Sequence, residues 1–288
     1  VAACSVEGLM GTDRTFAADL QALRPQVGQA VSAANLRSLL ADSAIVESHR
    51  LGDSRVQDAY SLRCTPVVHG SLRDTISYAE AISDRELIAA IDNPMILPDG
   101  RVESCGNFHG APIAQAADFL AISIADISAL CERRTDRMLD RNRSHGLPPF
   151  LAADPGVDSG MMIAHYTQAA LVAENRRLAA PASVDTIPTR ALQEDHVSMG
   201  WSSCRKLRTA VRNLRRILAI EFVVAARAIE HRALEPGPGV AAAVRQLRDQ
   251  VPGWGPDRWL SPELAAAEDL LANPSLVSEI SSALGGLE

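Results

Sequence analysis

Three short polar clusters interrupt an otherwise apolar chain, and each holds residue types that move protons or bind small charged molecules. The first is Gln57-Asp58-Ala59-Tyr60-Ser61-Leu62-Arg63. Tyr60 and Arg63 are three residues apart, so on a helical turn they share a face. The planar fork of an arginine matches a carboxylate, and a tyrosine hydroxyl beside it can move a proton. Taken alone, a helix turn with a structural ion pair accounts for this cluster better. The second is Cys105-Gly106-Asn107-Phe108-His109-Gly110, where two glycines let the backbone come close to another surface. An aromatic wall with polar neighbours and an ordinary turn with a core phenylalanine explain it equally well. The third is Gln193-Glu194-Asp195-His196-Val197-Ser198-Met199, expected at the start of a long helix. Glu194 facing a pocket would bind a cationic or hydrogen-bonding group. Acidic residues in a first helical turn are also favoured by the helix dipole, and spacing favours that plainer account.

Several other chemistries have no residues to carry them. There is no G-x-x-x-x-G-K-[ST], and the Gly237–Gly239 stretch follows a helix rather than a strand, so no phosphate loop is expected. The seven histidines include no H-x-x-x-H pair and none lies at metal-ligand spacing from a cysteine. No G-x-S-x-G elbow occurs. Net charge is −7, from 28 basic and 35 acidic residues, which argues against a nucleic-acid surface. The densest basic stretch, Arg205 to Arg216, is spaced like the solvated side of a helix. Five cysteines, odd in number and never in C-x-x-C, argue against a disulfide framework and for a reducing cytoplasm. No apolar run long enough to cross a bilayer and no secretory signal are expected. The chain opens on Val1 in a helical-looking stretch, so the expectation is a processed protein or one piece of a longer polypeptide.

The elements that must hold these clusters are helices. Apolar content is 47% with only 4% aromatics, a palette dominated by alanine and leucine. Residues 27–50 are expected as one helix, 71–91 as another and 159–180 as a third. From Pro112 to Asp140, Ile113, Ala117, Leu120, Ile124, Ile127 and Cys131 recur at spacings of three and four, an amphipathic pattern. Met95-Ile96-Leu97 and Arg101-Val102-Glu103, joined by Pro98-Asp99-Gly100, make one short hairpin. The strongest signal begins near Glu194 and runs through Leu207, Val211, Leu214, Leu218, Phe222, Ala225 and Ile229. At ~1.5 Å per residue that helix would be roughly 55–60 Å long. It is too long for one compact domain to bury, so a helical bundle with subunit association is expected. Glu235-Pro236-Gly237-Pro238-Gly239 breaks it. The expected division is a central bundle over 1–234 carrying half of an active site, and a segment of two or three short helices over 235–288.

The clusters, in this order along the chain, resemble the hallmark segments of the histidine ammonia-lyases, within the aromatic amino acid ammonia-lyase and aminomutase family. Gln57–Arg63 followed by Cys64, Asp92-Asn93-Pro94, Gly106–Gly110, Leu147-Pro148-Pro149-Phe150-Leu151, Ser183-Val184-Asp185 before Pro188, and Gln193–Met199 all take part. The resemblance runs from about Val6 to His231. It implies an all-α long-helix bundle with one short hairpin, of which this chain is the C-terminal part. It also implies the non-oxidative elimination of ammonia from L-histidine to give trans-urocanate, the first step of histidine degradation. The family's electrophile, a 4-methylidene-imidazol-5-one, is made from an Ala-Ser-Gly tripeptide in the N-terminal half. No Ala-Ser-Gly occurs here, so this chain alone is expected to be inactive and to need that N-terminal part.

Carried over residue by residue, the resemblance makes Arg63 the partner of the substrate carboxylate and Tyr60 the base for the β-proton. Gln57 supports the same site, Phe108 flanks the prosthetic ring, Met162 lines the pocket and Glu194 contacts the substrate imidazole or amine. Glutamate at 194 favours histidine, since relatives acting on phenylalanine or tyrosine usually carry glutamine there. Leu192 departs from the asparagine found in many relatives. A homotetramer with active sites shared between subunits is implied, without metal, nucleic acid or membrane. The alternatives are a tyrosine or phenylalanine ammonia-lyase or aminomutase, and a helical assembly module without catalysis.

Overall fold

The computed structural model describes residues 1–288 as a helical bundle with one two-stranded antiparallel ribbon. The helices are α1 (Ala2–Gly8), α2 (Ala18–Ala22), α3 (Val27–Leu40), α4 (Ala44–Ser48), α5 (Tyr60–Arg63), α6 (Thr65–Leu87), α7 (Ala111–Leu139), α8 (Met162–Leu178), α9 (Gly200–Arg232), α10 (Pro238–Arg248), α11 (Ser261–Ala272) and α12 (Pro274–Ala283). Strands β1 (Met95–Ile96) and β2 (Val102–Glu103) form the hairpin, with Ile96 opposite Val102.

Four long helices set the frame. Arg134 on α7 meets Glu221 on α9, and Asp118 meets Lys206, so α7 and α9 run parallel. Gln168 reaches the Ile217 carbonyl and Asn175 the Ala210 carbonyl, so α8 runs antiparallel to both. α6 is also antiparallel to α7, because Thr75 meets Ser123 while Thr65 meets Arg134. The bundle therefore has two distinct ends. One gathers the start of α6 and α8 with the close of α7 and α9. The other gathers the starts of α7 and α9 with the close of α6 and α8.

The apolar core lies at the first end. Val6, Leu9, Phe16, Met138, Leu151, Phe222 and Val224 are buried together there, and Val240, Leu247 and Ile280 of the tail join the same cluster. Within it Arg134 and Glu221, both fully buried, bond at 2.5 and 3.1 Å, and Ser5 donates to Glu221 at 2.6 Å. Burial opposes both charges, but their mutual attraction offsets it and holds Arg134 above and Glu221 below the ordinary values. Toward the second end only Ile127, Cys131, Val172 and Ile217 form a small separate cluster. Polar cross-links do more of the holding there. Buried Asp118 accepts from the Ser183 amide, the Ser203 hydroxyl and the Lys206 ammonium at 2.7, 2.9 and 2.8 Å.

Four expectations need correction. The helix expected over 27–50 is broken at Asp42, whose φ is +56°, and Ser43 caps the new start by accepting from the Val46 amide. α6 starts at Thr65, six residues earlier than expected, because Pro66 in the first turn suits a helix start. α9 starts at Gly200 rather than near Glu194, since Arg190, Ala191, Leu192 and Met199 all have left-handed backbone. Its 33 residues make it roughly 50 Å long at ~1.5 Å each. Finally, Ala111–Leu139 is long and apolar enough by length and composition to cross a membrane. Its apolar stripe is nonetheless spent inside the bundle, with Ala114, Ala121, Ile124 and Cys131 buried.

Candidate active site

Tyr60 and Arg63 occupy the single turn of α5, where the Ala59 carbonyl accepts from the Leu62 and Arg63 amides at 3.0 Å each. Two anchors fix that turn. The buried Asp58 carboxylate accepts from the Thr12 amide at 2.7 Å and from Arg55 at 3.1 Å. Arg134 reaches up from α7 to the Ser61 carbonyl and the Thr65 hydroxyl, each at 3.4 Å. The two side chains share a face, as their spacing requires, with the Arg63 guanidinium carbon 4.5 Å from the Tyr60 ring centroid. The ion pair that would explain Arg63 structurally is not there. No carboxylate lies within salt-bridge distance of it, and its buried Nε has no hydrogen-bond partner.

Tyr60 is 70% exposed and stands at the mouth of a cavity of about 400 Å³. Gln57, Tyr60 and Arg63 line it from one side, and Arg137, Asn142, Arg143 and His145 from the other. Burial first, then Arg55 and Arg232, push the His145 imidazole below its ordinary pKa and favour the neutral ring. Arg55 lies 3.2 Å from its Nε2. Arg232, at the close of α9, ties the wall together by donating to the carbonyls of Gly8, Ser144 and His145. The wall formed by residues 137–145 escaped the reading of the sequence. No spacing relates it to residues 57–63, and only the antiparallel packing of α6 on α7 brings the two segments together.

Phe108 and Glu194 lie at the other end of the bundle. Phe108 precedes α7 and is 58% exposed. It sits in a turn closed by the His109 amide donating to the Gly106 carbonyl at 3.0 Å, but it is not a core side chain. Its neighbour His109 stacks on His196 with ring centroids 5.6 Å apart, and its Nε2 is 3.2 Å from the His196 carbonyl. Gly110 lies against Ser198, where a Cβ would come within 3.3 Å of the hydroxyl. The second and third clusters are thus one surface.

Glu194 does not cap a helix. Arg190, Ala191 and Leu192, at φ +48°, +52° and +69°, form a left-handed turn closed by paired backbone bonds between Thr189 and Glu194. Such backbone costs of order 1–3 kcal/mol per residue and is kept only where the surroundings enforce it. The Glu194 carboxylate accepts from the Thr189 hydroxyl at 2.5 Å, lies 4.0 Å from Arg190, and is 49% exposed. Met162 opens α8 at the Tyr60 end, but it is not among the residues lining that cavity. With 29 residues at ~1.5 Å each, α7 alone separates the Phe108 and Arg63 ends by roughly 40 Å. One copy of the chain cannot bring them together.

The aromatic amino acid lyase family model matches residues 1–249. A histidine ammonia-lyase of Streptomyces avermitilis is 58% identical over 99% of this chain and 56% of its own length. Among solved structures, histidine ammonia-lyase from Trypanosoma cruzi superposes with a TM-score of 0.89 at 38% identity, covering 98% of this chain and 53% of that one. Tyrosine aminomutase from Streptomyces globisporus gives 0.89 at 34% identity, over 99% and 57%. The chain spans about half the length of the relatives it matches. Agreement over this much of the sequence and the whole bundle leaves one conclusion: the chain belongs to the aromatic amino acid lyase family.

Proposed function

We propose that this chain is the C-terminal part of a histidine ammonia-lyase, converting L-histidine to trans-urocanate and ammonia. The observation that carries the reading is Arg63, an arginine at a cavity with no anion of its own, stacked on an exposed Tyr60. The Arg63 fork takes the substrate carboxylate. Gln57, on the same wall, hydrogen-bonds in the same site. With the carboxylate held, the Tyr60 oxygen takes the β-proton while the C–H electron pair forms the new double bond and the C–N bond breaks. Glu194 receives the imidazole or amine end, and Met162, which does not line the Tyr60 cavity within this chain, would give an apolar edge only in the assembled site. Glu194, in place of a glutamine, favours histidine over the tyrosine of the aminomutase relative.

The residues present suit the family's methylidene-imidazolone ring. Phe108 offers an uncovered aromatic face for a flat ring to pack on. When bound, that group supplies the electrophile that makes the amine a leaving group. It would come from an Ala-Ser-Gly in a part of the enzyme outside this sequence.

The roughly 40 Å between the ends requires assembly, and a homotetramer with shared sites meets the requirement. Exposed Ile76, Leu87, Ile88, Phe119, Ile122 and Trp201 form the apolar surface that another copy would cover. Five free thiols suit a reducing cytoplasm.

The test is formation of urocanate, followed by its ultraviolet absorbance, in the enzyme assembled with its Ala-Ser-Gly part. Glu194→Gln should cut kcat/KM for histidine by at least roughly a hundredfold, with little change in melting temperature. The chain by itself should form no urocanate. Unchanged histidine kinetics in Glu194→Gln would contradict the assignment.

A further inference from the structure

The cavity beneath Tyr60 is lined by four arginines and one aspartate. Two of the arginines are already matched. Arg55 binds Asp53 at 2.6 Å and Asp58 at 3.1 Å, and Arg143 binds Asp136 at 2.9 Å and Asp140 at 2.8 Å. The other two are not. Arg63 has its guanidinium over the Tyr60 ring and a buried Nε without a partner. Arg137, in the last turn of α7, is half-buried and makes no hydrogen bond or ion pair within the chain. Burial, then Arg143, weigh against its charged form, while Asp136, Asp140 and Asp58 act in the opposite sense from beyond contact distance.

An amino acid carboxylate fills one guanidinium fork. The proposed chemistry therefore uses Arg63 and leaves Arg137 unmatched on the same cavity. Arg55 and Arg143 are each held between two aspartates, whereas Arg63 and Arg137 have no carboxylate in contact. A volume of about 400 Å³ has room for more than a carboxylate.

We propose that Arg63 and Arg137 together form a two-fork oxyanion site for a small dianionic tetrahedral anion of the inorganic phosphate class. An anion held there occupies the place of the substrate carboxylate and competes with it. The competition rests on the reading of Arg63 given above, whereas the binding itself does not.

The test is calorimetric titration of the assembled enzyme with inorganic phosphate, against sodium chloride at matched ionic strength. A single saturable phosphate site is expected, and phosphate should raise the apparent KM for histidine without lowering kcat. Arg137→Gln should weaken phosphate binding by at least roughly tenfold. Arg143→Gln, which removes an arginine already matched, should have the smaller effect on phosphate. Should Arg137→Gln fail to fold by circular dichroism, Arg137→Lys keeps the charge, loses the fork and should also bind phosphate more weakly. No saturable heat beyond that of chloride would overturn the proposal. So would phosphate affinity unchanged in a folded Arg137 variant. Phosphate binding through Arg137 without any histidine turnover would support the site and contradict the lyase reading instead.

Discussion

The two ends of the bundle solve different problems with the same helices. At the end holding Tyr60 and Arg63 the chain is finished. Phe222 is 1% exposed, Arg134 and Glu221 are locked inside, and the turn carrying Tyr60 hangs from Asp58 and Arg134. Phe108 and Glu194 are exposed, as Tyr60 also is, but their end has only a small apolar cluster beneath it, and the backbone that presents Glu194 is left-handed over three residues. Groups that must be held rigidly sit where one chain can hold them. In the assembly proposed above, the uncovered groups are the ones another copy would meet.

The largest stability effect should fall at the finished end. Arg134→Met leaves the Glu221 carboxylate buried without its partner and loosens the turn of Tyr60. Denaturant unfolding should show a loss of roughly 3–5 kcal/mol. A loss below about 1 kcal/mol would mean that water reaches Glu221 and that this end is not closed.

Glu7 sharpens the same contrast through pH. Its carboxylate accepts from the Gly237 amide at 2.7 Å, tying α1 to the start of the tail, and burial pushes its pKa from 4.5 up to about 7. The folded chain therefore holds one more proton than the unfolded chain between these values. The contribution is full below about 4.5 and is lost as pH rises through about 7. Glu7→Gln should remove that slope and gain up to roughly 3 kcal/mol at pH 8. Stability profiles of the two proteins that stay parallel across this window would contradict it.

The smallest effect should appear at the open end. Phe108→Ala should change the unfolding free energy of this chain by no more than about 0.5 kcal/mol. Phe222→Ala, in the core, should cost about 3–5 kcal/mol. Equal losses would show that Phe108 is packed within a single copy.

Much of the frame could be read from residue patterns. The apolar stripe from Ile113 to Cys131 marks α7, and the hairpin follows from apolar pairs flanking Pro98-Asp99-Gly100. Glu194 was harder, because an acidic residue before a long apolar pattern also fits a helix cap. What separates the two readings is the left-handed turn at 190–192, and nothing in Arg190-Ala191-Leu192 announces it. The 137–145 wall was hidden for another reason. Arg137, Asn142, Arg143 and His145 look like a solvated helix end until α6 folds back beside α7. Spacing along a chain reports neighbours on one element, and these contacts lie between elements.

The division of the site between copies has one direct test. Tyr60→Phe and Glu194→Gln enzymes, each expected to be strongly impaired alone, are co-expressed so that their subunits mix. If Tyr60 of one copy works beside Glu194 of another, random mixing leaves some sites with both natural residues. Histidine turnover should then return to roughly a quarter of the unmodified enzyme's. Mixed enzyme no more active than the two variants kept apart would show that each site is built within a single chain, contrary to the roughly 40 Å that α7 sets between its ends.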